Sequence, residues 1–282
     1  MTLTTKSGQA VAPLFYGTAW KKAATTSLVA LALKTGFRAI DTACQPKHYR
    51  EDLVGEALAK TYPTIPREDL FIQTKFTQTG GQDPNNIPYD KNVSLEEQCR
   101  QSFAKSLQNL QTDYLDAVLL HSPARSVDDT VSLLNVLNEF KSKDKVRYLG
   151  ISNIYALSML QEIIARVPKS TVQIIENRFY RDTGYDVEIR KYCKDHGIMY
   201  QSFWTLNANM SVTRSRSVHD IAKRIGTTPA CVFYRFCVQE GITVLDGTTS
   251  EEHMKQDLEV VKEDRFALTE EERDSIRVML WS

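Results

Sequence analysis

Four side chains of complementary chemistry are spread along the first half of the chain: Asp41, Tyr49, Lys75 and His121. A phenol has a reference pKa of about 10, too high for efficient proton transfer near neutral pH. An ammonium beside it stabilises the phenolate and lowers that value, and a carboxylate keeps the ammonium charged and in place. A neutral imidazole can hydrogen-bond a carbonyl oxygen and polarise it. Tyr49 as proton donor, Lys75 and Asp41 as the pair that tunes it, and His121 as the group that orients a carbonyl suit reduction of a C=O by hydride. No side chain supplies hydride, so a cofactor must. The bland alternatives are solvated loop residues and a purely structural Asp41–Lys75 ion pair.

The elements that must position these groups can be read from hydrophobic spacing. In FRAIDTACQPKHYREDLVGEAL, residues 37–58, a short apolar run over Phe37–Ile40 ends on Asp41, and helical periodicity follows Tyr49 to about Lys60. Leu70–Thr74 reads as a strand ending on Lys75, and Leu115–Leu120 as one ending on His121. Val11–Tyr16 closes on Gly17–Thr18, and Val146–Ile151 ends on Ser152–Asn153. Three more strands are expected at 171–175, ending near Glu176, at Ile198–Ser202 and at Ile242–Leu245. Between them the spacing predicts helices from about Ala23 to a stop at Gly36, from the capping box Ser94-x-x-Glu97, and over 127–142, 155–165, 185–195, 215–225 and 229–238. Another starts at about Ser250, and Thr269-x-x-Glu272 caps a terminal helix that is extra to the repeat.

Eight strands alternating with helices predict an α/β protein closed as a (β/α)8 TIM barrel, one domain over 1–282. A doubly wound open sheet is the rival. It is disfavoured because no G-x-G-x-x-G follows an early strand and because polar residues end so many strands. In a barrel, the ends of strands two, three and four converge on one side of the mouth, which brings the four residues together. The Gly-, Pro- and Asn-rich segment between Phe76 and Val93 is long for a compact domain, and such loops are often lids or binding loops.

Composition narrows the function classes. Lys plus Arg equals Asp plus Glu, 35 against 35, which gives no electrostatic case for nucleic acid or an anionic membrane as partner. No apolar run approaches a membrane span, and the first ten residues lack the charged and apolar regions of a signal peptide. Cys44, Cys99, Cys193, Cys231 and Cys237 are odd in number and form no CxxC pair. They are expected to be reduced thiols of a cytoplasmic protein, with no metal site. Cys44, near Asp41, could be oxidation-sensitive; the bland reading is a small buried filler.

The chain resembles the aldo-keto reductase superfamily over nearly its whole length. The pieces that carry the resemblance are AIDTA with Tyr49, FIQTKF with Lys75, DYLDAVLLHSP with His121, VRYLGISN with Asn153, and ENRFYRDTGYD from Glu176. The resemblance implies a (β/α)8 barrel that binds NADP(H), or NAD(H), extended and without a Rossmann motif, and reduces a small-molecule aldehyde or ketone. It makes Tyr49 the general acid, Lys75 and Asp41 its tuning pair, and His121 the carbonyl-orienting group. It places Ser152 and Asn153 on the nicotinamide carboxamide and an aromatic, Phe203 or Trp204, on the nicotinamide ring. Gly17, Thr18 and Trp20 match the first-strand loop bordering cofactor and substrate; for Trp20 the alternative is core packing. The same pattern adds Leu206, Gly247, Thr248, Thr249, His253, Gln256 and Asp257 to the cofactor set, and His48 and Trp204 to the substrate pocket.

Three departures from the family pattern bear on function. The interval from Asp41 to Tyr49 is longer than usual, as if Gln45–Lys47 were inserted. The carboxamide-contacting Gln of the sixth strand is replaced by Glu176, with Gln173 three residues earlier as the alternative. A carboxylate can accept from the amide NH2 but cannot donate to its oxygen unless protonated. In the adenosine clamp, LDGTTSEEHMKQDL, Gly247 and Thr248 stand where Lys-Ser is common and His253 stands where Arg is common. Glu251 and Glu252 oppose a further negative charge, leaving His253, Lys255 and Arg214 or Arg216 to compensate. A weakened NADPH preference, or acceptance of NADH, is expected. With the sequence ending at Ser282, soon after the terminal helix, an open pocket without the long C-terminal tail of many relatives is expected, as is a monomer or small homo-oligomer. The rival readings are a nicotinamide-binding regulatory or partner subunit with little turnover, and an isomerase or lyase using Lys75 as a Schiff base.

Overall fold

In the architecture given by a computed structural model of the chain, described for residues 2–281, each strand pairs in parallel with its neighbour in sequence and the eighth returns to the first. The strands are β1 Leu14–Gly17, β2 Ala39–Asp41, β3 Phe71–Phe76, β4 Leu115–Leu120, β5 Val146–Ser152, β6 Val172–Arg178, β7 Met199–Phe203 and β8 Ile242–Asp246. The helices over the first half are α1 Thr25–Thr35, α2 Glu51–Thr61, α3 Leu95–Leu110, α4 Val127–Lys141 and α5 Leu157–Arg166. They continue with α6 Val187–Asp195, α7 Met210–Thr213, α8 Arg216–Ile225, α9 Pro229–Gln239, α10 Glu251–Lys262 and α11 Glu270–Trp281. The fold is the expected (β/α)8 barrel with a terminal helix added.

Side chains alternate across each strand, so one set faces the helices and the other the barrel axis. Outward residues such as Ile40, Ile72, Val118 and Ile175 share a large apolar core with Val29, Leu33, Val54 and Leu58 from the helices. Inside, the lower part is a separate apolar cluster of Phe15, Ala39, Phe71, Ala117, Leu119 and Ile174. Leu3 joins that cluster from an N-terminal turn in which Thr4 and Ala10 pair, so the floor of the barrel is plugged. Above it the buried interior turns polar: Asp41, Gln73, Lys75, Glu176 and Gln201. The floor is packed and the chemistry lies at the C-terminal face, the arrangement expected of this barrel.

Most boundaries expected from sequence hold within a few residues, and the exceptions have local causes. The first strand starts at Leu14 because Val11 donates its N–H to Leu3 O in the N-terminal turn. Gly36 ends α1 at φ 121°, a value that L side chains rarely adopt. Strand β3 runs one residue past Lys75, which is therefore buried inside the barrel. The segment 77–93 is tied down rather than free: Gln82 donates to Cys44 O and Thr77 O, and Tyr89 Oη donates to Thr77 O at 2.7 Å. It does not line the main cavity.

Candidate active site

The loops at the C-terminal ends of the strands surround a cavity of about 940 Å³. Each of the four chemistry-bearing residues reaches it, or the floor just beneath it, from a different part of the fold. Asp41 is the last residue of β2, and the chain beyond it stays bonded to β3 through Thr42 N to Gln73 O and Cys44 N to Lys75 O. Tyr49 lies two residues before α2. That helix start is anchored by buried Glu51, which accepts from Thr74 Oγ1 at 2.6 Å and from Asn109 Nδ2 at 3.0 Å. The Tyr49 ring meets the His121 ring edge-on at 5.9 Å, with the Lys75 ammonium 5.8 Å from its centre.

Lys75 Nζ lies 2.5 Å from Asp41 Oδ1 and 3.3 Å from Glu176 Oε2. Burial opposes its charge, but the attraction of both carboxylates outweighs burial and raises its pKa. For Tyr49 burial is the leading effect and pushes the phenol up; Lys75 pulls it down, and Asp41 and Glu176 push it up again. His121 is drawn down to about 3 by burial, then by Lys75 and His48, so its ring is neutral at physiological pH. Its Nδ1 lies 2.6 Å from Thr77 Oγ1. With that hydroxyl as donor, Nε2 carries the ring proton and can donate to a carbonyl oxygen. Glu176 is raised to about 8 by burial and Asp41, against the pull of Lys75. A phenol over a buried ammonium, beside a neutral imidazole, can protonate a carbonyl oxygen as its carbon gains hydride.

Most of the residues singled out by sequence line the same cavity: Gly17, Trp20, His48, Ser152, Asn153, Glu176, Phe203, Trp204 and Leu206, and around the start of α10 Gly247, Thr248, Thr249, His253, Gln256 and Asp257. Trp20 is 57% exposed and tilted against His48 with ring centres 3.8 Å apart, so core packing is not its role. Asn153 donates to His121 O at 2.9 Å and to Ser152 Oγ at 3.2 Å, and its Oδ1 accepts from Tyr155 Oη at 3.0 Å, which leaves a second lone pair of that oxygen for a ligand amide. Asp257 accepts from Cys231 Sγ at 3.3 Å, and burial with neighbouring Asp246 raises it to about 8.

Two placements differ from expectation. Gln173 is turned outward, where its Oε1 accepts from Lys141 Nζ of α4 at 2.5 Å, and the chain between it and Glu176 does not bring it back. A register shift of β6 against β5 does fall at this residue, between the pairs Leu149–Val172 and Gly150–Ile174, but it leaves Gln173 on the helix-facing side and Glu176 inside the barrel. Thr18 is buried, and its hydroxyl donates to Asp41 O at 2.9 Å instead of facing the cavity. In addition, Lys255 pairs with Glu251, and neither it nor Arg214 or Arg216 lines the cavity.

The sequence patterns do not single out Gln73, Gln201, Arg178 or Lys21. Gln73 Nε2 lies 2.8–2.9 Å from Asp41 Oδ1, Glu176 Oε2 and Gln201 Oε1, and its two hydrogens, shared among the three, tie β2, β3, β6 and β7 into one layer. An amide inside the apolar runs FIQT and YQSF is the only trace of that layer in the sequence. Arg178 places its guanidinium 4.3 Å from the Trp204 ring, and Lys21 spans from the β1 loop to Gly247 O. The five cysteines are free and buried, and burial raises the Cys44 thiol, consistent with a filler. No group of metal-binding side chains occurs, and no helix is long and apolar enough to cross a membrane, among the described residues.

The sequence matches the model of the Aldo/keto reductase family over residues 13–279. It is 31% identical over 252 residues to the methylglyoxal reductase DkgB of Escherichia coli O157:H7, which covers 86% of this chain and 85% of that protein. It is 27% identical over 252 residues to the glyoxal reductase of Bacillus subtilis (strain 168), covering 89% and 82%. Among solved structures, a putative 2,5-diketo-D-gluconic acid reductase B superposes with a TM-score of 0.78 at 28% identity, over 99% of this chain and 92% of that one. Fold, strand-end residues and family match agree, and the chain belongs to the aldo/keto reductase family.

Proposed function

We propose that this chain reduces small aldehydes and ketones, 2-oxoaldehydes of the glyoxal type foremost, with a reduced nicotinamide dinucleotide as hydride source and Tyr49 as proton donor. The observation that carries the reading is the stack of Asp41, Lys75 and Tyr49 facing a neutral His121 at one cavity. Two relatives named for methylglyoxal and glyoxal reduction support the substrate class.

The residues present fit a dinucleotide. A cavity of about 940 Å³ is at the upper end of the range for ligand pockets and leaves space beyond a small aldehyde. Asn153 Oδ1 offers an acceptor to a carboxamide with Ser152 and Glu176 lining the wall behind it, and Phe203 and Trp204 offer aromatic faces to a ring. The N-terminus of α10, with Thr248 and Thr249 before it, offers amide donors to phosphate. When bound, the reduced nicotinamide supplies the hydride. His121 holds the carbonyl oxygen through Nε2, and Tyr49 gives that oxygen its proton. Lys75, kept charged by Asp41, stabilises the phenolate that remains. Trp20 and His48 wall the substrate side.

For the coenzyme, the basic side chains at the cavity are Lys21, Arg178 and His253, while Asp246 and Asp257 add buried carboxyls. We place NADP(H) and NAD(H) close in affinity on that balance. The test is loss of reduced-nicotinamide absorbance with methylglyoxal and a panel of aldehydes and ketones, NADPH and NADH in parallel. Turnover with both coenzymes is expected. Tight coenzyme binding without turnover on any carbonyl would favour a regulatory subunit. A large NADPH-over-NADH ratio in kcat/KM, abolished by His253→Ala, would overturn the weakened clamp.

A further inference from the structure

Beneath Tyr49 the barrel interior holds one ammonium and two carboxyl groups, Lys75, Asp41 and Glu176, none more than 3% exposed. One of the two carboxyls has no cation of its own. The ammonium is 2.5 Å from Asp41 and 3.3 Å from Glu176, so the tighter pair is with Asp41. A buried charge without its own counter-ion is strongly disfavoured.

The hydrogen bonds around Glu176 leave room for a proton. Ser152 Oγ donates its hydrogen to Glu176 O at 2.8 Å and receives Asn153 Nδ2 at 3.2 Å. Glu176 Oε1 lies 3.4 Å from that same Oγ. Glu176 O also accepts from Asn153 N at 2.9 Å, so the single Ser152 hydrogen is shared between that carbonyl and Oε1 and satisfies neither fully. A protonated Oε1 can equally donate to a lone pair of Ser152 Oγ, so the contact accommodates the neutral acid. Glu176 Oε2 remains the acceptor for Lys75 Nζ and Gln73 Nε2.

We infer from one buried ammonium facing two buried carboxyls that Glu176 is held as the neutral acid and that its ionisation weakens Tyr49 as a proton donor, so that Glu176 sets the upper pH limit of reduction. The inference deepens the reductase reading and rests on it for its kinetic half. Ionisation moves one proton from Oε1 to bulk water and takes the cluster from net neutral to one negative charge. The charged or titratable groups facing Glu176 are Asp41 on β2, Lys75 on β3 and Tyr49 before α2. His121 on the far side of Tyr49 stays neutral, and the flanking strands β5 and β7 present Ser152 and Gln201, which do not titrate. A new negative charge in this set opposes the phenolate and makes the phenol a poorer acid. Reduction therefore slows as pH rises through about 8, where burial and Asp41 have moved Glu176. Glu176 acts through Tyr49 and is a positioning residue.

The test has two arms on the full chain. The first is the infrared C=O stretch of protonated carboxyls without coenzyme, read as wild type minus Glu176→Gln. Glu51, Asp186 and Asp257 are also raised by burial, so only the difference isolates Glu176. A positive difference band at pH 6.5 that is lost by pH 9.5 is expected, and a null difference at pH 6.5 overturns the inference. The second arm is kcat/KM for carbonyl reduction from pH 6 to 9.5. Wild type should fall towards a tenfold loss per pH unit above the break, and Glu176→Gln should stay level until a later break. A wild-type profile flat to pH 9.5, or the same break in the variant, also overturns it. The difference band without turnover on any carbonyl would retain the protonated Glu176 and remove the reductase reading, and with it the inferred effect on Tyr49.

Discussion

Lys75 is surrounded by more acid than one ammonium can neutralise, and the site's behaviour follows from how burial settles that imbalance. Lys75→Met would leave the buried Asp41 carboxylate without its cation, and breaking a buried pair by removing one partner costs about 3–5 kcal/mol. A thermal melt of that variant should show a large drop in Tm together with loss of turnover. His121 gives a stability signature of opposite chemistry. Its folded pKa of about 3 lies below the ordinary 6.5, so between those values the unfolded chain binds more protons and stability falls as pH is lowered. Denaturant titrations at pH 7 and pH 4 should show His121→Asn losing less stability than wild type over that interval; equal losses would mean that His121 is not held neutral. Asp41, Tyr49, Lys75 and His121 were legible because each is an unusual residue type at or near an expected strand end. Gln73 and Gln201 were not. A neutral amide in an apolar strand has no periodic signature, and its three acceptors come from strands far apart in sequence.

Helix α2 couples packing to chemistry, since Tyr49 stands at its threshold and Glu51 ties its first turn to β3 and α3. Gly55, one turn further, lets α2 lie directly on the end of α3, where an added Cβ would sit 1.9 Å from Asn109 O. Because that neighbour is backbone, Gly55→Ala must push the helices apart, at a cost of about 1–3 kcal/mol. Its Tm should fall and its kcat should fall too, because the displacement reaches Tyr49. An unchanged kcat in a destabilised variant would separate the helix from the site. The order and type of these elements could be read from hydrophobic period, capping boxes and strand-end polarity. What could not be read is which face of a strand a given residue takes near an end: Gln173 against Glu176 is a question of pleat, and it is decided by the register of β6 against β5 and β7.

The barrel as a whole separates a plugged apolar floor from a polar mouth, and ligands can only be read out at the mouth. A dinucleotide lying between β5–β6 and the start of α10 would bind the folded chain alone and stabilise it by about 2.7 kcal/mol at a hundredfold excess over Kd. NADH and NADPH should therefore raise Tm by similar amounts, each at saturation. A shift from NADPH alone would show that Lys21, Arg178 and His253 suffice to hold the extra phosphate. At this scale the closed eightfold repeat was plain from sequence. The cavity's charge balance was not, because Lys21 reaches Gly247 from the opposite end of the chain and the loops that surround it carry no repeat.

The central claim, that Tyr49 gives the proton to a carbonyl reduced by nicotinamide hydride, is tested most directly by one comparison. Wild type and Tyr49→Phe are assayed by reduced-nicotinamide absorbance with methylglyoxal, each at a coenzyme concentration shown by Trp fluorescence to saturate it. Removing a general acid should lower kcat by about 10²–10⁴-fold while coenzyme binding is kept. A variant that turns over within a few-fold of wild type at equal coenzyme saturation would contradict the account.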